Sequence, residues 1–376
     1  MSLFDSLASS PAVVDATGDR AWLQAMLDVE SALARAGAKA GLVPVPAAEA
    51  IAAAARAELF DAGDVGRRAV ASATPVIPLL SDLRAALPPD VAEHVHLGAT
   101  SQDIVDTALC LVAYRSCVLI LADLAAVADR LAHLTREHRG TVQMGRTLLQ
   151  QAEPTTFGAV CAGWLVAVDE ARAGLVRARG RLAVQLGGPV GTLAGYGERG
   201  PQVVALLAEE LGLAEPVLPW HTNRNRVAEL AAALGIVSGA LAGIALDVAL
   251  LSQTEVGEVT EGSPGGSSAM PHKRNPARSV LVTAAAHRVP ALVATVLAGM
   301  AQEYQRAAGR WQAEWGTVTE LLRLVGGTAA HTRELLGDLR VHAGRMRAAA
   351  GDSGPGRAVD LLIARALAEH EGTVPW

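Results

Sequence analysis

Long apolar stretches with helical spacing alternate along this chain with short polar, glycine-rich or proline-rich breaks. Residues 19–40 read as an amphipathic helix stopped by Gly41, Pro44 and Pro46, and a second helix starts near Ala47. Residues 72–87 carry another helical pattern, interrupted by Pro75 and Pro78, and Pro88-Pro89 then breaks the chain. Beyond that break lie four apolar stretches, 104–139, 155–181, 226–256 and 276–300, each able to form a helix of roughly 25 residues. A fifth, 315–336, completes a bundle. No alternating strand pattern competes. Residues 187–200 read as an irregular crossing loop, and 351–356 as a linker before a last helix ending near Glu369. The pattern therefore predicts an all-α protein in three parts: a helical region over 1–95, a central bundle of long helices over 96–338, and a short helical region over 339–376.

Composition strengthens the helical reading. Half of the 376 residues are hydrophobic but only 3% are aromatic; alanine, leucine and valine supply the excess, and the first two lose little entropy in a helix. A formal charge of -6 gives no basic field for neutralising phosphates, so nucleic acid is not an expected partner. The uncharged run 230–246 is bracketed by Glu229 and Asp247 and is read as a core helix buried on all sides rather than a membrane span. Cys110, Cys117 and Cys161 lack the spacing of a zinc site or a disulfide framework, and buried free thiols are expected. The first ten residues carry no basic start followed by an apolar run, so the expected location is the cytoplasm.

Three polar clusters interrupt the apolar text, each where a loop meets the end of a long helix. The first, from His96 to Asp103, holds Thr100 and Ser101 just before a helix start. It reads either as an ordinary N-cap or as hydroxyls and free amides that receive a carboxylate. The second, from Met144 to Gly158, reads as a polar loop entering a helix through Pro154; Arg146, Thr147 and Gln150 make it a solvated connection or a binding segment. The third, Gly265-Gly266-Ser267-Ser268-Ala269-Met270-Pro271-His272-Lys273-Arg274-Asn275-Pro276, joins a flexible backbone to hydroxyls and two cations. That combination suits a lid over an anionic substrate. A phosphate loop is excluded by the absence of a G-x-x-x-x-G-K-[ST] string and of a preceding strand.

At these clusters, over residues 10–345, the sequence resembles the fumarase/aspartase superfamily, and the third cluster matches the superfamily signature. The resemblance implies a homotetramer with active sites shared between subunits, a small polycarboxylate substrate, and no metal or organic cofactor. It implies that Ser267 transfers the proton on the carbon next to a carboxylate. Substrate-binding roles are implied for Thr100, Ser101, Thr147, Gln150, Lys273 and Asn275, and the neighbouring Arg146, Ser268 and Met270 are taken with them. Such chemistry demands preorganised donors, because proton removal next to a carboxylate puts a second negative charge on that group. A serine oxygen serves as base only where Lys273 and loop amides favour its ionised form.

Two departures choose among branches of the superfamily. Leu148 stands where its fumarases and adenylosuccinate lyases carry a histidine, and Val280 where they place the glutamate that pairs with it. Expelling an amine or hydroxide needs an acid, whereas a lactone opens to a carboxylate that is stable without a proton. The segments from Pro219 to Arg226 and from Arg310 to Trp315 also resemble the carboxymuconate-cycloisomerase branch, although Asn225 replaces an expected Asp. The implied reaction is lactonisation of 3-carboxy-cis,cis-muconate to 4-carboxymuconolactone, in the protocatechuate branch of the β-ketoadipate pathway. An adenylosuccinate-lyase-like C–N elimination and a non-catalytic helical scaffold are the alternatives. His96 and His221 either orient substrate or are structural. The chain after Leu339 is shortened relative to superfamily members with a fuller terminal helical domain.

Overall fold

The computed structural model describes residues 4–352 and 354–372. Eight helices carry the architecture: α1 Asp19–Lys39, α2 Ser101–Glu137, α3 Phe157–Gly180, α4 Asn225–Leu251, α5 Ala277–Ala298, α6 Arg310–Gly337, α7 Ala343–Ala350 and α8 Ala358–His370. Each of the five long stretches expected from the sequence is a helix. They form one bundle in which α2 packs on α3 and α6, and α4 packs on α3, α5 and α6. Leucine, valine and alanine of these helices make one continuous buried core, and hydrophobic burial joins them.

Local chemistry fixes the helix starts. Thr100, extended at φ -129° and ψ 161°, is the N-cap of α2, and Asp103 three residues on accepts a hydrogen bond from the Thr100 amide at 2.9 Å. The Thr156 hydroxyl accepts the Ala159 amide at 3.1 Å and starts α3. Buried Glu261 closes the start of α5 by accepting the amides of Arg278 and Ser279.

Several expectations need correction. The second polar cluster is an antiparallel hairpin of β1 Val142–Thr147 and β2 Gln150–Thr156, not a loop. Leu148 and Leu149 turn it at φ 51° and 65°, the left-handed geometry that a two-residue hairpin turn requires and that Asn-Gly ordinarily supplies. Without those residues the turn was invisible in the sequence. Helix α4 is not buried on all sides, since Ile236 is 61% and Leu246 52% exposed. Residues 200–211, for which the sequence pattern predicted no element, form the helix Gly200–Leu211. By length and composition alone, α2, α4 and α5 are each able to cross a membrane.

The order of helices sets two ends of the bundle. The first cluster, residues 219–224 and the connection 299–309 lie at one end, where Arg306 reaches Thr100 and Arg224 reaches Asp106. The hairpin, Glu258, the 262–276 loop and Asp338 lie at the other. A helix as long as the 37-residue α2 spans about 55 Å at 1.5 Å per residue.

Candidate active site

At the α2 end, the buried carboxylate of Asp103 organises the first cluster. It accepts the amides of Gly187 at 3.1 Å and Gly188 at 2.9 Å as well as that of Thr100, and its Oδ1 lies 2.7 Å from His221 Nε2. With the Gln185 side-chain amide at 3.4 Å, five separate backbone and side-chain groups thus converge on one carboxylate, which fixes the 187–188 loop and the 219–224 segment against the first turn of α2. Gly188 adopts φ 71°, and a Cβ on it would lie 2.9 Å from the Gly98 carbonyl, so this approach requires glycine. His96, itself at φ 64°, places Nδ1 2.7 Å from Glu30 Oε1. Burial works against the charged imidazole, but Glu30 outweighs it by charge and hydrogen bond and leaves the His96 pKa raised. Both histidines are thereby held by carboxylates.

Behind this cluster lies a buried charged network. The Arg224 guanidinium donates to both oxygens of Asp106 and of Glu314, and the Trp311 indole N–H donates to Asp106 Oδ1 at 2.9 Å. Burial raises the Glu314 pKa against the opposing pull of Arg224, while the two carboxylates raise that of Arg224 against its burial. Arg306, which the sequence did not single out, donates from Nη1 to the Thr100 hydroxyl at 2.5 Å. Thr100 is buried, and Ser101 is half-buried at the first position of the helix, beside the amides that lack intrahelical partners.

At the opposite end, Arg146 closes on Glu258, whose side chain is 1% exposed, through hydrogen bonds of 3.0 and 2.7 Å; Gln143 adds a third at 2.7 Å. Arg146 therefore anchors the hairpin to the segment after α4. Thr147 and Gln150 face each other as the last pair before the turn, both exposed. Leu148 is 96% exposed at the tip, above a cavity of about 590 Å³ lined by Arg146, Leu149, Val160, Asp247 and Leu250. Val280 is also exposed, on the first turn of α5. Neither position offers a proton.

The 262–276 loop has a fixed base and a free tip. Asp338 accepts the Gly262 amide and the Ser263 hydroxyl, and Gly265 and Asn275 exchange backbone hydrogen bonds of 2.8 and 2.9 Å. Within the tip, Ser267 Oγ accepts the amides of Met270 at 3.1 Å and Ala269 at 3.3 Å. Two N–H dipoles aimed at one hydroxyl oxygen favour its ionised form, which a serine needs in order to move a carbon-bound proton. Asn275 Nδ2 donates to the Gly266 carbonyl at 2.8 Å. Ser268, Met270 and Lys273 are exposed, and Lys273 makes no ion pair among the described residues.

One copy of the chain therefore brings the second and third clusters to the same end of the bundle and leaves the first at the other. All three thiols are buried and free, and desolvation pushes Cys110 and Cys117 up to about 12. Among the described residues no group of three or more His, Cys, Asp or Glu side chains is arranged to hold a metal.

Comparison with known proteins gives a consistent result. Residues 7–291 match a protein family described as lyase. The chain is 46% identical to a 3-carboxy-cis,cis-muconate cycloisomerase of Pseudomonas aeruginosa, over 92% of this chain and 77% of the relative. It is 45% identical to a nitrosuccinate lyase of Streptomyces davaonensis, over 92% of this chain and 76% of the relative. The crystal structure of the 3-carboxy-cis,cis-muconate lactonizing enzyme from Pseudomonas putida superposes with a TM-score of 0.89 at 40% identity, covering 99% of this chain and 90% of that one.

Proposed function

We propose that this chain, which belongs to the lyase family of the fumarase/aspartase superfamily, is a 3-carboxy-cis,cis-muconate cycloisomerase. The observation that carries the mechanism is the Ser267 oxygen held by two backbone amides on the loop that also exposes Lys273, with apolar Leu148 and Val280 at the positions where other branches keep an acid and its partner. In the reaction, one carboxylate oxygen of the substrate adds to the alkene carbon β to a second carboxylate. The alkene electrons pass into that second carboxylate, giving a dianionic aci-carboxylate. The Ser267 hydroxyl then delivers its proton to the α carbon, and the two amides hold the resulting alkoxide until solvent reprotonates it. Atoms balance without a co-reactant, as an isomerisation requires. In reverse, the leaving group is a carboxylate, which departs without a proton.

Substrate carboxylates are assigned to Thr100, Ser101 and the α2 amides at one end, and to Lys273 and Asn275 on the loop. Thr147, Gln150, Arg146, Ser268 and Met270 complete the walls, with His96 and His221 holding the first cluster in place. Because these groups occupy opposite ends of a long bundle, the assignment needs more than one copy of the chain. The exposed apolar residues Ile236 and Leu246 on α4 and Leu297 on α5 support self-association, and a homotetramer with shared sites is the form proposed. Three buried thiols suit a reducing cytoplasm.

Nitrite elimination from nitrosuccinate is the second reading, favoured by the same apolar Leu148. Nitrite, like carboxylate, leaves as a stable anion. The experiment is a parallel assay of purified protein with 3-carboxy-cis,cis-muconate, nitrosuccinate and adenylosuccinate, following loss of diene absorbance, release of nitrite and formation of fumarate. Fastest turnover of the muconate is expected. Turnover of nitrosuccinate alone selects the second reading, and turnover of adenylosuccinate alone refutes the argument from Leu148.

A further inference from the structure

The base of the Ser267 loop is held by a short segment that follows α6. Strands β3 Val259–Thr260 and β4 Arg340–Val341 pair antiparallel, Val259 with Val341 and Thr260 with Arg340. The pairing continues in both directions. On one side the His342 amide donates to the Glu258 carbonyl at 2.9 Å, and His342 Nε2 lies 3.1 Å from the Thr260 hydroxyl. On the other, Asp338 Oδ1 accepts the Gly262 amide at 3.3 Å and Oδ2 accepts the Ser263 hydroxyl at 2.7 Å. Gly262 approaches the Asp338 carbonyl so closely that a Cβ on it would collide there.

Residues 338–342 therefore act on both clusters at this end of the bundle. Glu258 holds the hairpin through Arg146 and Gln143, so the stretch 258–263 carries the hairpin at its start and the loop at its finish. The returning arm of the loop is tied to the same place. Glu261 accepts the amides of Arg278 and Ser279, and the Arg278 side chain lies 3.0 Å from Glu334 and 3.5 Å from Asp338. Above this base stand two rungs, the Gly265–Asn275 backbone pair and the bond from Asn275 Nδ2 to the Gly266 carbonyl, and Ser267 follows directly. Among the described residues, the hydrogen bonds of 267–274 stay within the tip. The seat of Ser267 is thus set from below.

We infer that Asp338 is a positioning residue for Ser267, fixing the loop base against the segment that also anchors the hairpin; the inference rests on the proton-transfer role proposed for Ser267. Asp338 does not touch the reacting atoms. It acts through Gly262 and Ser263, and a proton donor displaced by about 1 Å loses much of its rate, because transfer requires hydrogen-bond contact with the carbon's substituents already in place. Both of its oxygens are engaged, so an uncharged isostere serves as well: an asparagine there accepts the Gly262 amide and donates to the Ser263 oxygen. Alanine offers neither bond.

The test has two arms on the whole protein. Exposed Lys273 and Arg274 are trypsin targets in the tip, so the rate of cutting there, located by mass spectrometry, reports how often the loop leaves its seat and needs no substrate. Asp338→Ala should be cut there about tenfold faster with cutting elsewhere unchanged, and its kcat/KM should fall about tenfold on the substrate the wild type turns over fastest. Asp338→Asn should restore most of both. Circular dichroism identifies a variant that fails to fold; Ser263→Ala, which removes one of the two bonds and should quicken the cut about threefold, then carries the comparison with Asp338→Asn. Unchanged cutting in Asp338→Ala and Ser263→Ala, or faster cutting with undiminished kcat/KM, overturns the inference. A wild type without turnover contradicts the proposed reaction instead, and the cutting rates still decide whether Asp338 seats the loop.

Discussion

His221 Nε2 lies 2.7 Å from Asp103 Oδ1, joining two segments 118 residues apart in the sequence at the start of α2. Asp103 also receives the amides of Thr100, Gly187 and Gly188, so its removal leaves three buried N–H groups and a histidine without their acceptor. Asp103→Ala is expected to cost about 3 kcal/mol or more, because each buried N–H left without its acceptor costs about 1–3 kcal/mol. Urea unfolding followed by circular dichroism measures it. An unchanged midpoint would show that the cluster is held by packing alone.

Arg146 and Glu258 form the corresponding relationship at the hairpin end. Arg146→Met leaves a carboxylate that is 1% exposed with only Gln143 as partner, whereas Arg146→Met combined with Glu258→Leu removes both charges. The single variant should lose about 3–5 kcal/mol and the double variant recover much of it. Additive losses in a double-mutant cycle would refute the coupling.

The Leu148-Leu149 turn holds two leucines at positive φ, a conformation costing roughly 1–2 kcal/mol per residue, and exposes both. Leu148→Asn with Leu149→Gly should therefore stabilise the folded chain by about 1 kcal/mol or more. Activity should fall at the same time, because the proposed reaction relies on an apolar residue at 148 and Asn would put a polar group there. A variant that gains stability with undiminished kcat/KM would remove any functional role from these leucines.

The His96–Glu30 pair sets a pH dependence. Its folded-state pKa is raised above the ordinary 6.5, so the pair stabilises the fold fully below 6.5 and loses that contribution as the pH rises through the folded-state value. The stability difference between wild type and His96→Gln should accordingly be largest in mild acid and shrink in alkali. A difference that grows with pH would show that His96 is neutral in the folded protein.

Helices α2 to α6 could be read from the sequence because alanine, leucine and valine recur with helical spacing over long runs. The Ser267 loop could be read because its glycines, hydroxyls and cations interrupt those runs. The hairpin could not. Its turn lacks glycine and asparagine, and Pro154 sits within a strand of a two-stranded sheet, where its missing N–H costs little. Long-range partners were also hidden. Arg306 meets Thr100 across 206 residues, and Glu258 meets Arg146 across 112, and neither carries a local signal. Asp103 did carry one, three residues after Thr100 in the spacing of a capping box, but its grip on His221 depends on the fold.

The most direct measurement is to incubate wild type and Ser267→Ala with 3-carboxy-cis,cis-muconate in deuterium oxide and examine the product by proton NMR. The wild type should give 4-carboxymuconolactone with one deuterium on the carbon next to a carboxylate, and Ser267→Ala, with its oligomeric state unchanged, should give none. Lactone formed by Ser267→Ala at the wild-type rate, or no lactone from the wild type, would contradict the account.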